Sequence, residues 1–407
     1  MRVAFAAGLA LALGACASST PHRDARLHGD ALDREVEQHI AAAHVPGLAL
    51  AVIEHGEITH LRAYGKRDVE RGLPLTTDTV MYAASLTKAL FAYAVMTLVD
   101  DGRLDLDRPI AATLPKPLPD YPKYADLADD MRWRRITPRM LLDHTAGFPN
   151  FRFWTRDGRY DEHGKLAIEF DPGTRFAYSG EGINLLQFVI ENGLGIDVDT
   201  LIRTRVFDRF GMRASSMTWR DAFAANLAIG YDEAGKPLGH KQRGGVRAAG
   251  SMDTTLGDYA KFLAGLVRCD GLSRRSCDEM RRMQVRIDSV QQFPTLSTET
   301  THDNDSIALG YGLGVAVYRA PSGPAFFKSG HDDGTNNLAL CLVASESCVL
   351  ILSNSSNGES TFTHIVEAAL GATCLPWYWE NYLPYDAPGL RDPAQRAASH
   401  VPCAPPR

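Results

Sequence analysis

Leu32, Val36, Ile40 and Ala43 recur at three- or four-residue spacing, which predicts a helix over residues 31–43, ended by Pro46-Gly47. Two apolar runs follow, Leu48 to Ile53 and Ile58 to Tyr64, around the polar Glu54-His55-Gly56-Glu57, a hairpin signal. The extended run Val80 to Ala83 turns into a helix-forming stretch, Ala84 to Asp101, that Gly102 stops. The centre of the chain is helical in texture. Residues 136–147 read as a capped helix ended by Gly147, and residues 182–192, 198–210 and 253–267 carry helical spacing as well. Strand character returns in Tyr311 to Tyr318, Ala325 to Lys328, Leu338 to Val343 and Cys348 to Asn354, before a closing helix from Thr361 to Leu370. Strands at both ends and helices between them predict an α+β fold. One antiparallel sheet is built from the N- and C-terminal segments and flanked by helices, with a mainly helical insertion over about residues 85–260. A cleft where the two parts meet is the natural ligand site.

The first residues interrupt this globular pattern. Arg2 precedes an apolar run from Val3 to Leu13, too short to span a bilayer, and Leu13-Gly14-Ala15-Cys16 follows. This order reads as a signal peptide over residues 1–15 with a lipobox, Cys16 being the lipidated residue and residues 16–30 a tether. The expectation is a lipoprotein on the periplasmic side of a bacterial envelope, held to the membrane by its lipid anchor. The remaining cysteines, Cys269, Cys277, Cys341, Cys348, Cys374 and Cys403, form an even set suited to an oxidising compartment, paired as sequence neighbours. Their spacing fits no zinc site, and neither a metal nor a cofactor is expected. A net charge of −6 without a Lys/Arg block excludes nucleic acid as an expected partner. Trp377 to Tyr385 is read as packing within a C-terminal tail over residues 377–407, which leaves residues 31–376 for the main domain.

Chemistry concentrates first at Ser85-Leu86-Thr87-Lys88, where the extended run becomes a helix. A spacing of three puts both side chains on one helix face, a turn apart. A serine alcohol needs a base to take its proton, and a lysine amine becomes one when burial and neighbouring cations lower its pKa. Two further segments stand out. One is Phe176-Ala177-Tyr178-Ser179-Gly180 after Asp171-Pro172-Gly173-Thr174, and the other is Lys328-Ser329-Gly330 at the end of an apolar run.

Ser-x-x-Lys followed downstream by Lys-Ser-Gly resembles the motif set of serine β-lactamases and penicillin-binding proteins. The resemblance runs from about Leu32 to Leu370 and includes Pro46-Gly47, Ile136-Thr137-Pro138, His144-Thr145-Ala146-Gly147, Ala249-Gly250-Ser251-Met252 and Gly310-Tyr311-Gly312-Leu313-Gly314. These look like the class C β-lactamase-like branch, which also holds D-alanyl peptidases and serine esterases. The resemblance implies a β-lactamase/transpeptidase-like fold and acyl-enzyme chemistry. It makes Ser85 the nucleophile, with Lys88 and Tyr178 in the proton traffic and Lys328, Ser329 and Gly330 at the substrate. The backbone N–H groups of Ser85 and His331 would hold the oxyanion. His144 reads as helix-end packing, and His331 with Asp332 and Asp333 as a turn.

One position departs from the family. The tyrosine motif usually reads Tyr-x-Asn, whose amide contacts the substrate amide next to the scissile bond, whereas this chain has Tyr178-Ser179-Gly180. The sequence therefore points to a serine hydrolase acting on an ester, or on a D-amino-acid-containing peptide of the cell envelope. Two alternatives stay open: a working β-lactamase, and an envelope lipoprotein that binds peptidoglycan fragments without turnover. The missing asparagine counts against the first, and the complete set of Ser85, Lys88, Tyr178 and Lys328 against the second.

Overall fold

The structure, a computed structural model, describes residues 26–155 and 159–392. Its centre is an antiparallel sheet in which the two ends of the chain interleave. The long strands are β1 (Gly47–Glu54), β2 (Glu57–Asp68), β3 (Ala316–Ala320), β4 (Gly323–Asp332), β5 (Thr335–Leu342) and β6 (Ser347–Ser353). They lie in the order β2-β1-β6-β5-β4-β3, with two-residue strands continuing the sheet at both edges. N-terminal β1 therefore pairs with C-terminal β6, Ala51 facing Leu350, and with its hairpin partner β2, Ala51 facing Leu61.

Both faces of this sheet are covered, which explains why β1 and β6 are apolar throughout rather than alternating. Leu48, Leu50 and Val52 pack with helices α1 (Gly29–Ala42) and α5 (Phe362–Leu370) in one core. Ala49, Ala51 and Ile53 face a second core, shared with α2 (Leu86–Asp100) and α4 (Leu256–Arg268). A one-residue slip of β1 would exchange these two sets of side chains between cores of different shape. Helix α2 is buried from Leu86 to Leu98, so its apolar residues surround it instead of forming a stripe. Helix α3 (Gly180–Gly193) belongs to the same side.

Three predicted elements come out shorter than their spacing implied. The helix at 136–147 spans only Pro138–Leu142, capped by Thr137, because His144 takes a left-handed φ of +62°. The stretch from Tyr311 to Tyr318 is broken at Gly314, whose φ is +80° and where a Cβ would stand 2.3 Å from that of Ala92. The helix at 253–267 starts at Leu256, after a Thr255 cap, because Asp253–Thr254 pairs as a strand with Met81–Tyr82. A helix at Arg274–Arg281 has no counterpart in the pattern. It carries Cys277, which is bonded to Cys269 just past the end of α4, and Cys341 is bonded to Cys348 directly across the β5–β6 hairpin. Cys374 is disulfide-bonded, while Cys403, like Cys16 and the predicted signal peptide before it, lies outside the described residues.

Candidate active site

The Met81–Tyr82 strand leads into α2 through a sharp turn. Ala84 adopts φ +47°, a conformation that costs an alanine energy and persists only where its surroundings hold it. Here the Ala83 N–H donates to Met252 O at 2.9 Å, and Thr87 Oγ1 donates to Ala84 O at 2.6 Å. Strand β4 closes over the same turn. A Cβ on Gly330 would lie 2.7 Å from Ala83 O and 3.2 Å from the Leu86 nitrogen, so only glycine allows this approach. The spatial meaning of Lys-Ser-Gly is thus that its glycine seats β4 against the Ser85 turn.

Lys88, one helical turn after Ser85, is 1% exposed. Its Nζ donates to Ser85 Oγ at 3.0 Å and to Ala249 O at 2.6 Å. Burial, then the charge of Lys328, pushes the Lys88 pKa well below the ordinary lysine value. The Ala249-Gly250-Ser251-Met252 segment acquires a role here, since its first carbonyl orients the amine.

Both lysines reach the Tyr178 ring, with each Nζ 4.9 Å from its centroid. Its buried hydroxyl has no well-formed hydrogen bond among the described residues. Burial pushes the phenol pKa up, while the nearby Ser85 hydroxyl pulls it the other way. Lys328, also buried, donates to Ser329 O at 2.8 Å. Desolvation lowers its pKa, opposed by the carboxylate of Glu380, which is itself buried and shifted upward. Glu380 accepts from Gln292 Nε2 at 3.3 Å and sits beside the Ser329 hydroxyl, flanked by buried Trp379 and Tyr382. The aromatic segment after Cys374 packs as expected, but it also brings an acid behind the Lys-Ser-Gly strand. Nothing in its sequence distinguishes Glu380 from a surface residue.

His144 is more than a helix end. It is 1% exposed, and its ring lies 4.6 Å from that of Tyr178 and 4.7 Å from that of Tyr311. Its Nδ1 accepts the Ser179 N–H at 3.2 Å, which requires a lone pair there and leaves the proton on Nε2. Burial, then the charges of Lys88 and Lys328, keeps the ring neutral by lowering its pKa. His331 differs: its side chain is exposed and bonded to Glu359 at 3.0 Å, an interaction that raises its pKa.

The region of Gly180 explains the departure from Tyr-x-Asn. A Cβ at Gly180 would stand 2.6 Å from Phe151 Cε1 and 3.0 Å from Asn150 O. A Phe151 ring occupies the space that a side chain at 180 would need. Gly180 N–H donates to Asn150 Oδ1 at 3.0 Å. Glu181 offers no substitute contact, because Arg152 holds both of its carboxylate oxygens at 3.0 Å. Phe151 and Asn150 carried no sequence signal, since they belong to a loop that only tertiary packing brings to the tyrosine motif.

A serine, a buried lysine and a buried tyrosine, covered by a Lys-Ser-Gly strand of a two-sided sheet, are the marks of the serine β-lactamase and penicillin-binding-protein superfamily. The chain belongs to the Beta-lactamase family, which it matches over residues 32–372. It is 27% identical to penicillin-binding protein 4 of Amycolatopsis lactamdurans over 342 residues, 81% of this chain and 86% of that protein. It is 28% identical to esterase EstB of Burkholderia gladioli, over 53% of this chain and 57% of the esterase. Identity to a D-aminopeptidase of Gluconobacter oxydans is 26%, over 46% of this chain and 35% of that enzyme. Among solved structures, the octameric penicillin-binding protein homologue from Pyrococcus abyssi superposes with a TM-score of 0.66 at 23% identity, covering 87% of this chain and 79% of the homologue. The D-alanine carboxypeptidase AmpC from Burkholderia cenocepacia gives 0.63 at 19%, covering 83% and 96%. At these identities the structural matches establish the fold.

Proposed function

We propose that this protein hydrolyses carboxylic esters through an acyl-enzyme on Ser85, with D-amino-acid-containing peptides as the neighbouring substrate class. The observation that carries the reading is the 3.0 Å contact between Ser85 Oγ and a buried Lys88 whose pKa burial pushes well below the ordinary lysine value. Burial favours the protonated phenol of Tyr178, so the base is the amine. Ser85 Oγ attacks the ester carbon and its proton passes to Lys88 Nζ, while the carbonyl π pair moves onto oxygen. The backbone N–H groups of Ser85 and His331 receive that charge; one such donor is worth roughly 3 kcal/mol. The tetrahedral intermediate then collapses. The alkoxide leaves with the proton from Lys88, relayed through the Tyr178 hydroxyl, and water repeats the sequence to release the acid. Lys328 stays cationic beside Glu380 and steers the substrate.

Kinship with an esterase and a D-aminopeptidase supports this pair of classes, and the filled space at Gly180 favours the ester. Purified protein given a 4-nitrophenyl ester, a D-Ala-D-Ala peptide and a cephalosporin side by side tests it. We expect the ester to be turned over with the highest kcat/KM, and one fluorophosphonate adduct at Ser85 by intact mass. A cephalosporin hydrolysed faster than the ester overturns the substrate choice, and an adduct that survives Ser85→Ala overturns the nucleophile. The Cys269–Cys277 and Cys341–Cys348 disulfides support an oxidising location, and Cys16 as the lipid anchor is part of the same proposal. Cys16→Ser should leave an uncleaved or soluble form, which the mass and the membrane partition of the protein distinguish from the lipidated one.

A further inference from the structure

Aromatic side chains gather around the motif tyrosine in a way the reaction does not require. Phe151 abuts Gly180, two residues from Tyr178, and stacks on Phe153 with centroids 5.1 Å apart and planes 6° from parallel. Phe153 in turn contacts Trp154, which is 46% exposed. Phe293, from a different loop, lies 5.8 Å edge-on from Tyr178 and leaves 48% of its surface exposed. Large exposed aromatics are uncommon on a folded chain, and clustered ones mark recognition surfaces. Phe293 borders the tyrosine beside Ser85, and Phe151 the glycine two residues on, so what they touch is the part of the substrate next to the reacting carbonyl. Hydrogen-bonding capacity is reduced at the same place: Gly180 has no side chain, the Asn150 carboxamide oxygen is engaged by Gly180 N–H, and Glu181 is tied to Arg152.

We propose that Phe151, Phe153 and Phe293 form an aromatic cleft for the acyl group, so that the site selects esters of bulky apolar or arylalkyl acids over acetates. This rests on the ester reading above and names its substrate class. An apolar group enters by displacing water from aromatic surface, whereas an acylamide would lose hydrogen bonds to water without regaining them.

The test compares kcat/KM for 4-nitrophenyl phenylacetate and 4-nitrophenyl acetate, each divided by its alkaline hydrolysis rate, which removes intrinsic reactivity. The expected preference for phenylacetate is roughly tenfold or more, the scale on which apolar pockets discriminate. Phe293→Ala and Phe151→Ala should each lower that ratio about fivefold or more, since a ring contact of this kind is worth about 1 kcal/mol. Phe293 is half exposed, so its truncation spares the fold; fluorophosphonate labelling of Ser85 checks that both variants are intact. A ratio at or below one, or one that both variants leave unchanged, overturns the aromatic cleft while the ester reading stands. Failure to hydrolyse either ester, with Ser85 still labelled, overturns the ester reading and this inference with it.

Discussion

Ser179 and Ser85 both stand at the N-cap of a buried helix beside the same cleft, yet their hydroxyls are used in opposite ways. Ser179 has the extended backbone usual for a cap, with φ −140° and ψ 114°. Its Oγ accepts the Gly182 N–H at 2.9 Å and donates to Pro149 O at 2.8 Å. Ser85 is already helical, with φ −71° and ψ −5°, because Ala84 takes up the turn at φ +47°. From that backbone Oγ caps no N–H, and it accepts from Lys88 instead. A serine hydroxyl at a helix start thus caps the helix or is left to a side-chain partner according to which residue absorbs the reversal of the chain. The unfavourable dihedral at Ala84 is what frees the Ser85 hydroxyl.

The sharpest way to break this contrast is to truncate Ser85. Ser85→Ala should lower ester kcat/KM by roughly 10³-fold or more while moving the thermal midpoint by no more than about 1 °C, because no cap is lost. A large loss of stability in that variant would mean the hydroxyl is structural after all.

Lys88 comes next. Lys88→Arg keeps the cation but cannot deprotonate, so turnover should fall by roughly 10²- to 10⁴-fold. The sign of the pH dependence follows from the lowered pKa. Only the neutral amine accepts the serine proton, so activity rises with pH through the pKa of Lys88 in the fold, below the ordinary lysine value. Replacement by Met exchanges a buried amine for an apolar side chain and should raise the unfolding temperature as activity disappears. A pH–rate profile that keeps its rising limb in Lys88→Arg would assign the base elsewhere.

His144 couples the two helix starts, since it braces Tyr178 and accepts the Ser179 N–H. His144→Phe leaves that buried N–H unpaired, at a cost of about 1–3 kcal/mol, and should reduce kcat about tenfold with KM little changed. His144→Asn, which keeps an acceptor, should recover part of the loss. Because the folded state disfavours imidazolium here, the unfolded chain binds more protons below about pH 6.5. Stability contributed by this neutral histidine is therefore present above that pH and lost as pH falls below it. Chemical denaturation at pH 5 and pH 8 should show a smaller difference in either variant than in the parent.

The smallest effect belongs to Ser179. Ser179→Ala should cost about 1 kcal/mol of stability, as cap removal usually does. Its kcat should drop far less than in Ser85→Ala. Equal losses of activity from the two serines would erase the distinction drawn above.

Much of this molecule was legible from periodicity and motifs. Alternation and apolar runs determined the β1–β2 hairpin, the late strands, α2 and the closing helix, because a chain buried on both sheet faces leaves few polar positions to confuse the pattern. Ser-x-x-Lys, Tyr178 and Lys-Ser-Gly picked out the residues that meet, since helical spacing of three already sets Lys88 above Ser85. Sequence-neighbour pairing of Cys269 with Cys277 and Cys341 with Cys348 followed from an even cysteine set in which the first pair closes a small loop and the second flanks a hairpin turn. What only tertiary structure decided was everything that depends on loops meeting at a distance. Periodicity has no term for the left-handed residues Ala84 and His144, whose conformations are imposed by packing against β4 and Tyr311. Nor does it reach Glu380, which folds back behind Lys328, or Phe151, which fills the space beside Gly180. Those contacts join segments as far apart as Ala83 and Gly330, and they exist because the two cores close around the sheet, not because any local spacing calls for them.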